Sequence, residues 1–193
     1  MKQFIIAAAV LVWIGATVGC GKKDADNAQA APAAALPDGL VLNAAPENAV
    51  SVIDAKSTAT DGQRIVIEGR VGGTKRAVID GRALFTIADR QLLACDAMGD
   101  GDHCPTPWDY CCEDPDKLKT GLATVKIAGS DGKPLAVDLA TAIGLQPLQT
   151  VIVTGIVEPR ADDGALIIRA DGVFISGVKT PAPARAAPTC CPH

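Results

Sequence analysis

Residues 151–157 read VIVTGIV and residues 65–71 read IVIEGRV, so both segments carry an apolar-x-Gly-x-Val pattern. Each leads through an Asp-Gly turn into an apolar return segment, ALFTI at 83–87 and LIIRA at 166–170. Their alternating β-branched residues predict two strand hairpins. A glycine inside a strand marks a bulge or a sharp bend. Because a small closed barrel needs such bends where one strand serves both sheets, the repeat favours a barrel.

The segments around this repeat extend the prediction. TVKIA at 124–128 alternates like a strand, and a turn joins it to a return strand at 134–137. Helices are predicted over 46–59 and around 140–143. Three strands, a short helix and two more strands resemble an OB-type barrel, particularly the OB-like family of bacterial proteins that carry signal peptides. The resemblance covers about 61–176 and implies a mainly β fold, a small five-stranded barrel with one or two short helices.

The N-terminus is typical of a targeting segment. Lys2 precedes an uncharged apolar run over 4–18, which is shorter than the about 20 apolar residues of a spanning helix. The run ends in Thr-Val-Gly before Cys20 and resembles a bacterial lipoprotein signal peptide, residues 1–19, in which the following cysteine is lipidated. Gly21 stands where Asp would indicate inner-membrane retention, so the outer membrane is favoured.

Composition divides the remaining chain into three parts. Residues 20–37 are rich in Ala and Pro and predict a flexible tether from the lipidated cysteine. Residues 38–178 suit one domain, the OB-like barrel. Residues 179–193 form a Pro-rich tail that ends in CCPH. The sequence therefore predicts a lipid-anchored protein of the cell envelope whose domain lies in the periplasm or at the cell surface.

The most distinctive part of the predicted domain is a loop at 95–114 that contains four cysteines. A loop this long in a compact domain is usually functional or cross-linked. Residues 104–112 read CPTPWDYCC. This segment resembles a CxTPWDYCC signature of exported bacterial proteins with an OB-like barrel, a family that brings no assigned activity with it.

Three interpretations of the cysteine loop remain open. In an oxidising compartment, Cys111 and Cys112 would form two disulfides by reaching different partners, Cys95 and Cys104. Alternatively, the four thiolates, with His103, would bind zinc, copper or an iron–sulfur cluster in a metal-binding protein or carrier, and a haem carrier belongs to the same class. The third interpretation is a thiol-disulfide redox protein, although the usual CxxC motif is absent.

Two further groups of residues are candidates for binding. Trp108 and Tyr110 would form either a ligand-binding surface or a lid packed over the open end of the barrel. In the tail, Cys190, Cys191 and His193 would form a soft-metal site, with copper as the first candidate, or a mobile segment whose cysteines oxidise.

Charge and motifs argue against other functions. The formal net charge is −4, and the only aromatic residues on predicted strands are Phe85 and Phe174, so nucleic acid is an unlikely partner. No GxSxG, HExxH or P-loop motif occurs, and no catalytic activity is indicated. The predicted function is a binding or structural module of the envelope. Its expected partners are the membrane, through the lipid anchor, and another envelope protein.

Overall fold

The computed structural model describes residues 35–97, 104–160 and 164–176. Five strands close into a barrel in the order β1-β2-β3-β5-β4. The pairing of β3 with β5 is parallel, and the other four pairings are antiparallel. The strands are β1 (Arg64–Val71), β2 (Leu84–Ala88), β3 (Leu122–Lys126), β4 (Thr150–Val157) and β5 (Leu166–Ser176). This architecture confirms the predicted fold class, a mainly β, five-stranded barrel.

Three short helices complete the described fold: α1 (Val52–Thr58), α2 (Pro115–Gly121) and α3 (Leu139–Ile143). Each begins after a residue whose side chain accepts hydrogen bonds from the first turn. The first predicted helix is shorter than expected, because Ser51 caps it and the chain before Ser51 is not helical. Helix α2 was absent from the sequence prediction, whereas α3 lies where the second helix was expected.

The predicted strand at 134–137 is wrong. Only a single bridge joins Ala128 to Pro134, and the Leu135 N–H then donates to the Ile127 carbonyl. The pairing stops there because Asp138 caps α3 and turns the chain into that helix.

The glycines of the repeated pattern allow close strand packing. A Cβ at Gly155 would collide with the carbonyl oxygen of Arg169, and the pairing of β4 with β5 shifts register between Thr154 and Gly155. A Cβ at Gly69 would lie 3.0 Å from the Cβ of Ile87. The predicted irregularity is therefore present at Gly155, while Gly69 brings β1 close to β2.

Buried side chains form two clusters. The larger fills the barrel with alternate residues of the strands. The smaller contains Ala88, Leu92, Ala94 and Tyr110, and partly buried leucines including Leu122 pack against it. It lies beyond the end of β2 and joins the cysteine loop to the barrel.

No helix in the described ranges has the length and apolar character needed to cross a bilayer. The signal peptide, most of the tether and the tail lie outside the described residues, so their assignments stay predictions.

Candidate functional site

The loop with the cysteines is attached to the barrel by hydrogen bonds to the chain that follows β1. The Gly73 N–H donates to the Trp108 carbonyl at 2.8 Å, and the Trp108 indole N–H donates to the Lys75 carbonyl at 3.1 Å. The Cys95 N–H donates to the Pro107 carbonyl at 3.1 Å. Trp108 is partly buried and packs against the main core. Trp108 is therefore held against the barrel by its carbonyl, its indole N–H and its packing.

Tyr110 is the largest fully buried side chain among the described residues, so its ring offers no exposed face to a ligand. Its backbone adopts φ 59°, in the left-handed region. A Cβ at Gly72 would lie 2.7 Å from the Tyr110 ring, so only glycine leaves room for this packing. The Tyr110 hydroxyl is buried and makes no hydrogen bond of good geometry within the described part of the chain. Burial raises the pKa of Tyr110, which keeps this hydroxyl protonated.

Asp109 orients the residues on either side of it. Its Oδ2 accepts a hydrogen bond from the Thr106 hydroxyl at 2.7 Å, and its Oδ1 accepts one from the Cys111 N–H at 2.9 Å. The Asp109 N–H also donates to the Thr106 carbonyl. Because both carboxylate oxygens are engaged and the residue is buried, Asp109 fixes the position of Cys111.

The structure brings together the four cysteines that the sequence singles out. The Cys111 Sγ lies 3.6 Å from the Sγ of Cys95, 3.8 Å from that of Cys104 and 3.8 Å from that of Cys112. A disulfide needs about 2.05 Å between sulfur atoms, so none of these pairs is at bonding distance. The ligand atoms of Cys95, Cys104, Asp109 and Cys111 all lie within 4.8 Å of one another.

Cys95 is the interior member of this cluster. Its side chain is buried, and burial raises its pKa to about 12, against the opposing hydrogen bonds from the Cys111 thiol and the Cys112 backbone N–H. Cys111 and Cys112 are exposed, and Cys104 is intermediate. The cluster therefore extends from the interior to the surface, with Cys111 between the buried and exposed sulfur atoms.

An ion pair next to Cys95 anchors this end of the cluster. Arg70, on β1, donates to both carboxylate oxygens of Asp96, at 3.0 and 2.6 Å, and its Nε donates to the Leu148 carbonyl at 3.0 Å. Asp96 belongs to the short 3-10 turn Cys95–Ala97. The pair therefore ties the backbone that carries Cys95 to β1.

Sequence reasoning found the cysteines but missed the residues that position them. Asp109, Arg70 and Gly72 were not predicted to belong to the site. The spacing Thr-Pro-Trp-Asp was a usable signal for Asp109, because Asp and Thr often close such turns with their side chains. His103 and the tail residues Cys190, Cys191 and His193 lie outside the described residues, as does Cys20.

No family model matches the chain, and no curated protein matches its sequence. Among solved structures, the chain is similar to the hypothetical protein ygiW from E. coli. The two sequences are 13% identical, and the alignment covers 66% of this chain and 88% of that chain with a TM-score of 0.36. A TM-score this low carries no conclusion about function, and the barrel is defined by the closed order of its own strands.

Proposed function

We propose that this chain is an exported, lipid-anchored envelope protein whose OB-like barrel presents a thiolate site for a soft metal ion. The observation that carries the proposal is the convergence of three thiols, those of Cys95, Cys104 and Cys111, within 4.8 Å of one another. The barrel and its cysteine loop form a binding module in this account. No reaction is assigned to it.

The spacing of the sulfur atoms supports a single metal ion. Metal–sulfur bonds of about 2.3 Å place the thiolates of a tetrahedral site about 3.8 Å apart. The distances from the Cys111 Sγ, 3.6 and 3.8 Å, agree with that edge length. An iron–sulfur cluster distributes its cysteines over two or more iron atoms, so its complete set of cysteine sulfur atoms is more widely spaced than the ligands of one ion. Zinc and Cu(I) therefore fit the described sulfur atoms better than a cluster does.

A second candidate function is a structural one, in which the same thiols are oxidised. The approach of the Cys111 Sγ to the Cys95 and Cys104 Sγ atoms favours it, because a small movement would bring either pair to bonding distance. Export to an oxidising compartment would also promote disulfides. Cys111 can bond only one partner, so a second disulfide would have to use Cys112. A thiol-disulfide redox protein is the third candidate, and the Cys111 Sγ would again be its central sulfur.

The proposed location follows from the sequence alone. Lipidation of Cys20 would attach the protein to the membrane, with the outer membrane favoured. The tether over 20–37 would hold the barrel away from the lipid surface. The partners proposed with it are the membrane and another envelope protein.

Metal analysis of the protein from its own compartment tests the proposed function. The full chain is purified in detergent without chelators, and bound metal and reactive thiols are both counted. We expect about one equivalent of zinc or copper, which Cys95→Ser and Cys111→Ser lose. The matched control is Cys190→Ser with Cys191→Ser, which changes thiols outside the described cluster and should retain the metal. A metal-free chain that shows no thiol reactivity would overturn the proposal in favour of the disulfides.

A further inference from the structure

We infer that the site is built for a monovalent, thiophilic ion, Cu(I), held by the three sulfur atoms of Cys95, Cys104 and Cys111. The inference rests on the proposed function and names the ligand of the same site. Two neighbouring side chains, those of Asp109 and Cys112, could in principle supply a fourth ligand. Their hydrogen bonds and distances set them apart from the three thiols.

Asp109 acts as a positioning residue and not as a ligand. Its two carboxylate oxygens already accept hydrogen bonds from the Thr106 hydroxyl and the Cys111 N–H. A metal ion on Oδ1 would compete with the hydrogen bond from the Cys111 N–H, and a metal ion on Oδ2 would compete with the one from the Thr106 hydroxyl. Buried polar groups that lose their partners are costly, by about 1–3 kcal/mol each. The carboxylate therefore contributes by orienting a ligand, as groups around metal sites commonly do.

Cys112 also lies outside the set of ligands that converge. Its Sγ is 3.8 Å from the Cys111 Sγ, yet it does not belong to the group whose atoms all lie within 4.8 Å of one another. The arrangement thus provides three converging sulfur ligands.

Three thiolates suit Cu(I) better than zinc. Structural zinc sites are almost always four-coordinate. Among the described residues, the fourth group that converges on the site is the Asp109 carboxylate, whose oxygens already accept hydrogen bonds from Thr106 and Cys111. Cu(I) is a soft closed-shell ion that prefers thiolates and accepts low coordination numbers. Binding forms three metal–sulfur bonds and releases the thiol protons to solvent, with no change in oxidation state.

Four variants of the full chain, purified in detergent and reduced under anaerobic conditions, test the inference. The probes are Cu(I), supplied with a competing Cu(I) chelator, and Ag(I), which has the same charge and ligand preference but undergoes no redox reaction. Zinc is titrated separately against its own chelator. Every protein carries Cys190→Ser and Cys191→Ser, so that the tail supplies no sulfur.

We expect Cys104→Ser to lower the affinity for Cu(I) and Ag(I) by about 100-fold or more, because it removes a ligand. The affinities of Cys112→Ser and Asp109→Asn should stay within about threefold of the parent protein. Cys112 is not one of the three ligands, and asparagine keeps an oxygen that accepts from the Cys111 N–H. Asp109→Ala should bind both ions about tenfold more weakly, because Cys111 is no longer held in position. X-ray absorption should count three sulfur atoms around copper.

The outcomes separate the inference from the function on which it rests. If Asp109→Asn or Cys112→Ser weakens binding as much as Cys104→Ser does, the site is four-coordinate. If that pattern comes with tight stoichiometric zinc, the Cu(I) assignment is overturned and the soft-metal site stands. If neither Cu(I), Ag(I) nor zinc binds the reduced parent protein, both proposals are overturned.

Discussion

Tyr110 shows how one buried residue links the cysteine loop to the barrel. Its ring packs in the smaller cluster and lies against Gly72, while its neighbours Asp109 and Cys111 belong to the thiol site. The left-handed backbone at Tyr110 turns the chain so that the ring points inward. The position of the sulfur atoms therefore depends on a side chain that is not itself a metal ligand.

We predict that Tyr110→Ala lowers the free energy of unfolding by about 3 kcal/mol or more, because it removes a large buried ring. Tyr110→Phe is the matched control. It keeps the ring and removes a buried hydroxyl that makes no hydrogen bond of good geometry within the described residues, so stability should be unchanged or rise by about 1 kcal/mol. Denaturant unfolding measures both values. A large loss in Tyr110→Phe would contradict the account, since it would show that the hydroxyl makes a stabilising hydrogen bond.

A second prediction at this scale concerns thiol reactivity. In the reduced, metal-free protein near pH 8, we expect iodoacetamide to modify Cys111 and Cys112 well before Cys95. Cys95 is buried, and its raised pKa means that deprotonation to the reactive thiolate requires a much higher pH than for an exposed thiol. Peptide mass spectrometry after timed quenching gives the order.

Labelling in denaturant supplies the control, because unfolding should make the three thiols react at similar rates. Equal rates in the folded protein would show that Cys95 is accessible and that the interior end of the cluster is misassigned.

At the scale of elements, the junction between β1 and the cysteine loop decides whether the site is assembled. The Gly73 N–H bonds the Trp108 carbonyl, and Gly72 lies so close to the loop that a Cβ would be 2.8 Å from that same oxygen. The Cβ would meet this backbone oxygen and the buried ring of Tyr110, and neither can move aside easily. The loop can therefore dock only on a glycine.

We predict that Gly72→Ala destabilises the protein by about 1–3 kcal/mol and displaces the loop, because it overpacks a rigid contact. Melting temperature and Trp108 fluorescence measure the two effects, and removal of the signal peptide leaves Trp108 as the only tryptophan. Gly129→Ala is the control, since its Cβ would lie 3.2 and 3.3 Å from the side-chain ends of Leu135 and Asp131, contacts that small side-chain shifts relieve. Equal small effects in both variants would mean that the loop does not depend on Gly72.

The strands were predictable from the sequence because each reads as a short alternation that the barrel buries on one side. Residues 151–157 and 65–71 carry that signal most clearly, and both became long strands. Helix α2 was not predicted because it spans only seven residues, Pro115–Gly121, and its one large apolar residue, Leu118, gives no helical periodicity. Residues 134–137 resemble a strand in sequence, but the chain turns into α3 directly after them because Asp138 caps that helix.

The four cysteines of the site were also predictable, since they stand out by residue type. Their arrangement was not. It depends on the geometry of the side-chain hydrogen bonds that Asp109 makes with its near neighbours. It also depends on the ion pair of Arg70 with Asp96, which joins residues far apart in sequence. Spacing alone cannot show such contacts, so the sequence left disulfides, metal and redox chemistry as open alternatives.

At the scale of the whole molecule, we predict that Cys20→Ser releases the protein from membranes. The cysteine is the proposed site of lipidation, and no helix of the described residues provides a membrane span. Cell fractionation followed by a salt wash measures the distribution. Cys190→Ser with Cys191→Ser is the matched control and should stay in the membrane fraction. Retention of Cys20→Ser in washed membranes would contradict the lipid anchor.

The central claim is that the thiols of the loop hold a metal ion, and an intact mass under native conditions tests it most directly. The chain carrying Cys190→Ser and Cys191→Ser is purified from the envelope without chelators and is measured before and after acidification. The account predicts the mass of the chain plus one soft metal ion, and acid should return the mass with all loop thiols protonated. A metal-free chain about 4 Da lighter, as two disulfides require, would contradict it.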